Sequence, residues 1–117
     1  MYKSVVRPLL YSMPPEKAHY FTTGWLERFK KLGLTESLVK PNFNVADPRL
    51  ERDIFGIKFP NPVGLGAGFD KDAKWIDSLS SLGFGFIEIG TVTPKGQPGN
   101  PKPRLFRLTN DEALINR

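Results

Sequence analysis

Apolar residues recur at helical spacing through the first third of the chain. From Tyr2 to Met13 they predict a first short helix over about residues 2–12. The dipeptide Pro14–Pro15 ends this pattern, and because proline is tolerated in a first helical turn, a second helix is predicted over about residues 15–32. The apolar face of this second helix consists of Ala18, Phe21, Trp25, Phe29 and Leu32. Two lysines in its last turn and a glycine after it favour that end point.

Shorter elements are predicted after the helices. One helical turn is expected over about residues 35–39, followed by a linker rich in Pro and Asn over residues 41–48. Apolar residues on both sides of a glycine then predict a small hairpin over residues 54–59.

A strand, a helix and a second strand are expected next. The apolar run at residues 63–65 predicts a first buried strand, and residues 73–82 predict the crossover helix. Residues 86–89 predict a second strand that is buried except for Glu88. Together they form one parallel βαβ unit of about thirty residues.

Composition excludes several kinds of site. None of the 117 residues is Cys, so these residues contain no disulfide, no thiolate metal site and no cysteine nucleophile. The N-terminal region has neither an apolar run of about 18 residues nor the apolar core of a signal peptide. We therefore expect neither a membrane-spanning helix nor an export signal there.

Positive charge is concentrated near the N-terminus. Residues 1–40 contain seven basic and three acidic side chains, a balance of +4, whereas residues 41–117 contain ten and nine, a balance of +1. A basic surface is compatible with nucleic acid, an anionic membrane or plain solvation. Because these basic residues lie on helices that also have an apolar stripe, the combination favours a membrane surface.

The segment at residues 61–72 carries the strongest chemical signal. A short apolar run ends in Gly64, Gly66 and Gly68, and Lys71 follows between two aspartates. Glycines leave the backbone accessible to a flat or anionic ligand, and a lysine beside them suits a cofactor that gains negative charge. The spacing matches neither Gly-x-Gly-x-x-Gly nor a Walker P-loop, which disfavours those two kinds of nucleotide site. The alternative is a glycine-rich turn with a surface lysine.

Further motifs extend along the whole chain. They are PEKAH at residues 15–19, GFDK at residues 68–71, FGFIEIGTVTPK at residues 84–95, NPKPRLFRL at residues 100–108 and LINR at residues 114–117. In this order and spacing they resemble the dihydroorotate dehydrogenases. The likeness is to the class 2 branch of that family, which is quinone-dependent and membrane-associated.

The resemblance implies an α/β fold. Residues 46–117 would be the start of a (β/α)8 TIM barrel that binds FMN, and residues 1–45 would be a small N-terminal helical cap that contacts membrane and quinone. Because such a barrel takes about 250 residues, the chain is expected to be a fragment that is inactive alone.

The resemblance also implies a flavin site. The positions that match FMN contacts are Ala67, Gly68, Phe69, Asp70, Lys71 and Thr91. Lys71 would also reach the substrate carboxylate and stabilise negative charge on the reduced flavin. The alternative for Lys71 is an ion pair with Asp70 or Asp72. No metal site is expected.

Two further sites follow from the resemblance. Asn116 and Arg117 match the start of the loop that holds the pyrimidine, where an Asn can both donate and accept hydrogen bonds. His19 and Arg107 match the site of the quinone head group. The alternatives are a surface loop for Asn116, a helix-face histidine bonded to water for His19, and a strand-edge surface cation for Arg107. The catalytic base, a serine on a later loop of the family, is not among these residues.

The implied activity is oxidation of (S)-dihydroorotate to orotate in pyrimidine biosynthesis, with FMN as cofactor and a membrane quinone as acceptor. The protein is expected at a membrane surface, on the cytoplasmic face of the bacterial cell membrane or at the inner mitochondrial membrane, with no nucleic-acid partner. A class 1 enzyme, linked to fumarate or a nicotinamide, is one alternative, which the cap disfavours. A non-catalytic membrane-binding module with a degenerate barrel is the other.

Overall fold

Two helices open the chain, as the periodicity predicts. The computed structural model of the protein describes residues 2–117. A π-helical turn, Tyr2–Val6, continues into helix α1, Arg7–Tyr11, and helix α2 covers Pro15–Lys31. Pro15 is the first residue of α2, where a backbone N–H would have no acceptor within the helix, so proline costs no hydrogen bond there. Both predicted helices are confirmed to within one residue at each end.

The predicted turn after α2 is confirmed, but the linker after it is shorter than expected. A π-helical turn, Thr35–Val39, runs into a short helix α3, Lys40–Phe43. Pro41 lies in the first turn of α3, where a proline is compatible with the helix. The predicted linker over residues 41–48 is therefore wrong in its first three residues.

The predicted hairpin is confirmed and begins two residues earlier than expected. Strand β1, Arg52–Ile54, follows a 3₁₀ turn, Pro48–Leu50, and pairs antiparallel with β2, Ile57–Phe59. The two turn residues, Phe55 and Gly56, have φ values of 56° and 76°. Positive φ at both central positions gives a hairpin turn whose twist matches that of the strands.

The strand–helix–strand unit is confirmed in its order and in its parallel pairing. Strand β3, Gly64–Leu65, pairs with β4, Phe86–Ile87. The connection contains α4, Ile76–Leu79, and a 3₁₀ turn, Ser80–Leu82. Helix α4 begins three residues later than predicted, because Ala73 has a φ of 56°, which a right-handed helix excludes.

Neither predicted strand is buried as expected, and Val63 in the first of them is 62% exposed. Phe86 is 44% exposed and Ile89 is 40% exposed. Parallel strands are buried in sheets whose two faces are covered by helices, and within residues 2–117 this sheet has only two strands. The ring of Phe86 packs edge to face against that of Phe59, with centroids 5.7 Å apart.

A second hairpin, which the sequence patterns do not predict, follows the βαβ unit. Strand β5, Leu105–Leu108, pairs antiparallel with β6, Ala113–Asn116. Glu112 lies in the connection with a φ of 49°.

The chain divides into two compact units. The first unit consists of the residues up to Trp25 together with Gly96–Arg117, and the second unit is Leu26–Lys95. The buried apolar side chains are Ala18 in the first unit and Val39 and Leu79 in the second. The boundary predicted at residue 45 concerns function and not compactness, so it stays a prediction.

Helices together with parallel and antiparallel strand pairs confirm a mixed α/β class. In the described part of the chain, no helix is both long enough and apolar enough to cross a membrane.

Candidate functional site

The loop that follows β3 presents bare backbone. Gly66 and Gly68 come directly after this strand. A Cβ atom built on Gly66 meets no heavy atom within 4 Å, and one built on Gly68 meets only the Cε atom of Lys71 at 3.9 Å. Gly68 also has a φ of 98°, which residues with side chains rarely adopt. The loop therefore has open space beside its backbone, as the approach of a flat ligand requires.

Gly64 has a different role from the two glycines after it. A Cβ atom at Gly64 would lie 2.2 Å from ring carbons of Phe86, its partner in strand β4. Gly64 therefore allows the aromatic ring to cover the strand. A single run of glycines in the sequence thus combines one packing position with two open loop positions.

Asp70 is a structural residue of the same loop. It is 2% exposed, and its two carboxylate oxygens accept the backbone N–H groups of Lys74 at 2.9 Å and Trp75 at 2.7 Å. These N–H groups lie just before α4, where the helix itself offers them no acceptor. The carboxylate thereby fixes the loop that carries Lys71. The flavin contact expected of Asp70 stays a prediction.

Lys71 is an exposed cation without an ion pair among residues 2–117. Asp70 is bonded to backbone N–H groups, and Asp72 pairs instead with Lys74 at 2.7 Å. The hydrogen bond that Lys74 donates to Asp72 lowers the pKa of Asp72. The alternative in which Lys71 pairs with either aspartate is therefore wrong. Its ammonium group is available to an anionic partner.

Thr91 follows β4, the strand that pairs with the one before this loop. Strands β3 and β4 run parallel, and the N–H of Glu88 continues their pairing by donating to the carbonyl of Leu65 at 2.8 Å. The carboxyl ends of parallel strands share one edge, where ligands of such sheets bind. Thr91 is exposed, and its peptide bond to Gly90 is cis. The remaining predicted flavin residues are exposed on the loop after β3, namely Ala67, Gly68 and Phe69.

Arg107, one of the two predicted quinone residues, caps helix α1. Its guanidinium group donates to the carbonyls of Leu10, Tyr11 and Met13 at 3.1, 3.2 and 2.6 Å. The guanidinium carbon also lies 4.5 Å from the centroid of the Tyr11 ring. The last carbonyls of a helix have no intrahelical donor, and Arg107 supplies one. Arg107 is half-buried and bonded to these carbonyls, so the alternative of a strand-edge surface cation is wrong.

His19, the other predicted quinone residue, lies on α2 and is half-buried. Its ring packs edge to face against Tyr20, with centroids 5.4 Å apart. His19 and Arg107 both belong to the first unit. Their contact with a quinone stays a prediction.

Sequence reasoning missed an ionic cluster in this first unit. The Nε and Nη2 atoms of Arg104 donate to Oε1 of Glu16 at 3.2 and 2.8 Å, and Nζ of Lys102 lies 3.2 Å from the same oxygen. The hydrogen bonds from Arg104, and then those from Lys102, hold the pKa of Glu16 below its ordinary value. Glu16 and Arg104 are 88 residues apart, so no local pattern connects them.

Asn116 and Arg117 lie at and beyond the end of β6, and both are exposed. Asn116 pairs with Leu105, and the N–H of Arg117 donates to the carbonyl of Arg104 at 2.9 Å. These bonds occupy the backbone and not the side chains. The expected substrate contacts of both residues stay predictions.

Comparison with known proteins assigns the chain to a family. A family model described as dihydroorotate dehydrogenase matches residues 49–117. A protein of Christiangramia forsetii named dihydroorotate dehydrogenase (quinone) is 62% identical over 100% of this chain and 34% of its own length. One of the same name from Ralstonia nicotianae is 57% identical over 97% of this chain and 31% of its own.

Solved structures give the same result. The crystal structure of DHODH from Eimeria tenella in complex with ferulenol has a TM-score of 0.70 and 42% identity, and the match covers 93% of this chain and 28% of that one. The chain spans about a third of the length of the curated relatives it matches. The chain belongs to the dihydroorotate dehydrogenase family.

Proposed function

We propose that the protein containing these residues oxidises (S)-dihydroorotate to orotate in pyrimidine biosynthesis, with FMN as cofactor and a membrane quinone as electron acceptor. The names of the relatives support the quinone-linked reaction. The alignment with the Christiangramia forsetii protein covers the whole chain, so it includes α1 and α2 as well as the βαβ unit.

Strands β3 and β4 are proposed to be the first two strands of a (β/α)8 barrel. Their parallel pairing, with α4 in the connection, supports this assignment. In such barrels the reactive groups lie on loops at the carboxyl ends of the strands. The loop with Lys71 and the segment with Thr91 both leave the sheet at those ends.

The loop after β3 suits the ring of a flavin. The open space beside Gly66 and Gly68 admits a flat ring, and exposed backbone groups can bond to its polar edge. Bound there, FMN supplies the acceptor for the hydride that leaves dihydroorotate. Ala67 to Phe69 would hold the ring through their backbone, with Thr91 beside them on the second strand.

The observation that carries the proposal is the unpaired ammonium group of Lys71. Among residues 2–117 no carboxylate pairs with this ammonium group, and the hydrogen bonds of Asp70 fix the loop that carries Lys71. A cation placed in advance stabilises negative charge that develops during a reaction, without any reorganisation at that moment. Lys71 can therefore bind the substrate carboxylate and stabilise the charge that arrives with the hydride.

Anaerobic mixing of the full-length protein with dihydroorotate tests the proposal. We expect visible flavin absorption that bleaches on addition of dihydroorotate and recovers on addition of a water-soluble quinone. Recovery with fumarate or a nicotinamide, and not with quinone, would identify a class 1 enzyme instead. A protein without flavin absorption, even after addition of FMN, would contradict the proposal and favour a non-catalytic module.

Attachment to the membrane surface, on the cytoplasmic face of the cell membrane, is a further part of the proposal. Three apolar side chains of the first unit are well exposed, namely Tyr2, Val5 and Leu9. Lys3 and Lys17 are exposed and form no ion pair within residues 2–117, whereas Arg7 pairs with Glu112 at 3.1 Å. Apolar area combined with unpaired cations attracts a helix to anionic lipid.

A further inference from the structure

Strand β5 and the residues before it contact both sides of the corner between α1 and α2. Arg107 caps the end of α1 through three backbone carbonyls. Arg104, three residues earlier, binds Glu16 in the first turn of α2. Two arginines of one short segment therefore hold the helix before the corner and the helix after it.

The ion pair between Glu16 and Arg104 is largely withdrawn from solvent. The side chain of Glu16 is 16% exposed and that of Arg104 is 23% exposed. A single oxygen, Oε1 of Glu16, accepts from both Nε and Nη2 of Arg104 and also lies near Nζ of Lys102. Partly buried pairs are screened less by salt than exposed ones, so salt weakens this contact less than it weakens a surface pair.

The loop before β5 is shaped around the guanidinium group of Arg104. Its Nη1 atom donates to the carbonyl of Pro98 at 3.2 Å. A Cβ atom on Gly99 would lie 2.3 Å from the same nitrogen, and Gly99 has a φ of 77°. Both the space and the backbone conformation therefore favour glycine there. The guanidinium group is held by the loop on one side and by Glu16 on the other.

His19 lies three residues after Glu16 on the same helix. Residues three apart lie on one face of a helix and about one turn from each other. A contact that fixes the first turn of α2 therefore also fixes the position of His19. Arg104 directly precedes strand β5 and Arg107 lies within it, so a contact that fixes the backbone at Arg104 also constrains the position of Arg107.

We propose that the ion pair between Glu16 and Arg104 positions His19 relative to Arg107 for quinone reduction. Both members of the pair are positioning residues, which act through His19 and Arg107 and do not themselves touch the quinone. This inference rests on the proposed function and on the expectation, from the family resemblance, that His19 and Arg107 receive the quinone head group.

The test separates the two half-reactions of the full-length protein. Glu16→Gln keeps the size of the side chain and removes its charge, and Arg104→Lys keeps the charge and removes the fork of donors. We expect each to raise the KM for a water-soluble quinone by about 10- to 100-fold, because a displaced His19 or Arg107 makes weaker hydrogen bonds to the quinone oxygens. The rate of flavin reduction by dihydroorotate should stay unchanged. Glu112→Gln is the matched control, because it removes the carboxylate of an exposed pair that joins Arg7 to the same hairpin.

A double-mutant cycle completes the test. If the pair acts as a unit, Glu16→Gln combined with Arg104→Lys should raise the KM no further than the more severe single change. A parent protein that reduces no quinone would overturn the proposed function itself. An active parent whose KM for quinone is unchanged in both single variants, or whose flavin reduction slows equally, would overturn the positioning role alone. A KM raised equally by Glu112→Gln would also overturn it.

Discussion

Replacing Asp70 with Asn should loosen the loop that carries Lys71, and the same change at Asp72 should not. Asp70 accepts two backbone N–H groups and is 2% exposed. An amide in its place keeps one acceptor oxygen but turns an NH₂ group toward the second N–H donor. One buried donor is then left without a partner.

The size of the effect follows from these contacts. A hydrogen bond to a charged group contributes about 1.5–3 kcal/mol, and the lower desolvation cost of a neutral amide offsets part of its loss. We therefore expect Asp70→Asn to cost about 1–3 kcal/mol of local stability, which corresponds to about 5- to 150-fold in an opening equilibrium. Asp72 pairs with Lys74 on the surface, and exposed pairs contribute about 0–1 kcal/mol.

Hydrogen exchange of the backbone amides of Lys74 and Trp75 measures this cost where it arises. In the full-length protein, both amides should exchange about 5- to 150-fold faster in Asp70→Asn than in the parent. Asp72→Asn provides the control, two residues away and with the same chemical change, and should leave both amides nearly unaffected. Equal exchange in Asp70→Asn and the parent would refute the role assigned to the carboxylate.

Three other predictions can be checked independently. The pKa of Glu16 in the folded protein lies below its ordinary value of 4.5. The ionised carboxylate therefore contributes stability above pH 4.5, and this contribution is lost as the pH falls through the pKa of the folded state. Glu16→Gln should therefore lower the urea midpoint at neutral pH, by a margin that vanishes in acid; a margin that grows in acid would contradict this. Gly64→Ala should lower the free energy of unfolding by about 1–3 kcal/mol, because the new Cβ atom would meet the ring of Phe86. Gly66→Ala should change the free energy of unfolding little and should instead weaken flavin binding. Equal losses of stability in the two variants would count against the roles assigned to these glycines. Replacing Tyr2, Val5 and Leu9 with serine should reduce co-sedimentation with anionic vesicles more than the control Phe55→Asn at the exposed hairpin tip. An equal reduction would argue against membrane attachment through these three side chains.

Local patterns in the sequence predicted the local structure well. Helix α2 followed from the spacing of its apolar residues and from its proline start, because both signals act within a few residues. The hairpin at Phe55 and Gly56 followed from apolar residues around a glycine. The crossover helix was predicted three residues too long at its start, because the positive φ of Ala73 and the bonds of Asp70 leave no signal in apolar periodicity.

Contacts between distant residues could not be predicted in this way. The bonds of Arg107 to the end of α1 could not be predicted, because the carbonyls that it caps lie 94 to 97 residues earlier in the chain. The pairing of Glu16 with Arg104 depends likewise on how the hairpin meets α2. The candidate flavin loop was predictable because its glycines and Lys71 are adjacent in sequence, but the separate packing role of Gly64 depends on Phe86 in another strand.

The rate of flavin reduction in Lys71→Met tests the central claim most directly. Stopped-flow mixing of the full-length protein with dihydroorotate should show a rate about 10²- to 10³-fold below that of the parent, the usual cost of removing one group that stabilises developing charge. Lys74→Met is the matched control, three residues away, because Lys74 already pairs with Asp72 on the surface, and it should change the rate by no more than about twofold. A Lys71→Met protein that binds flavin and is reduced at the parent's rate would contradict the account.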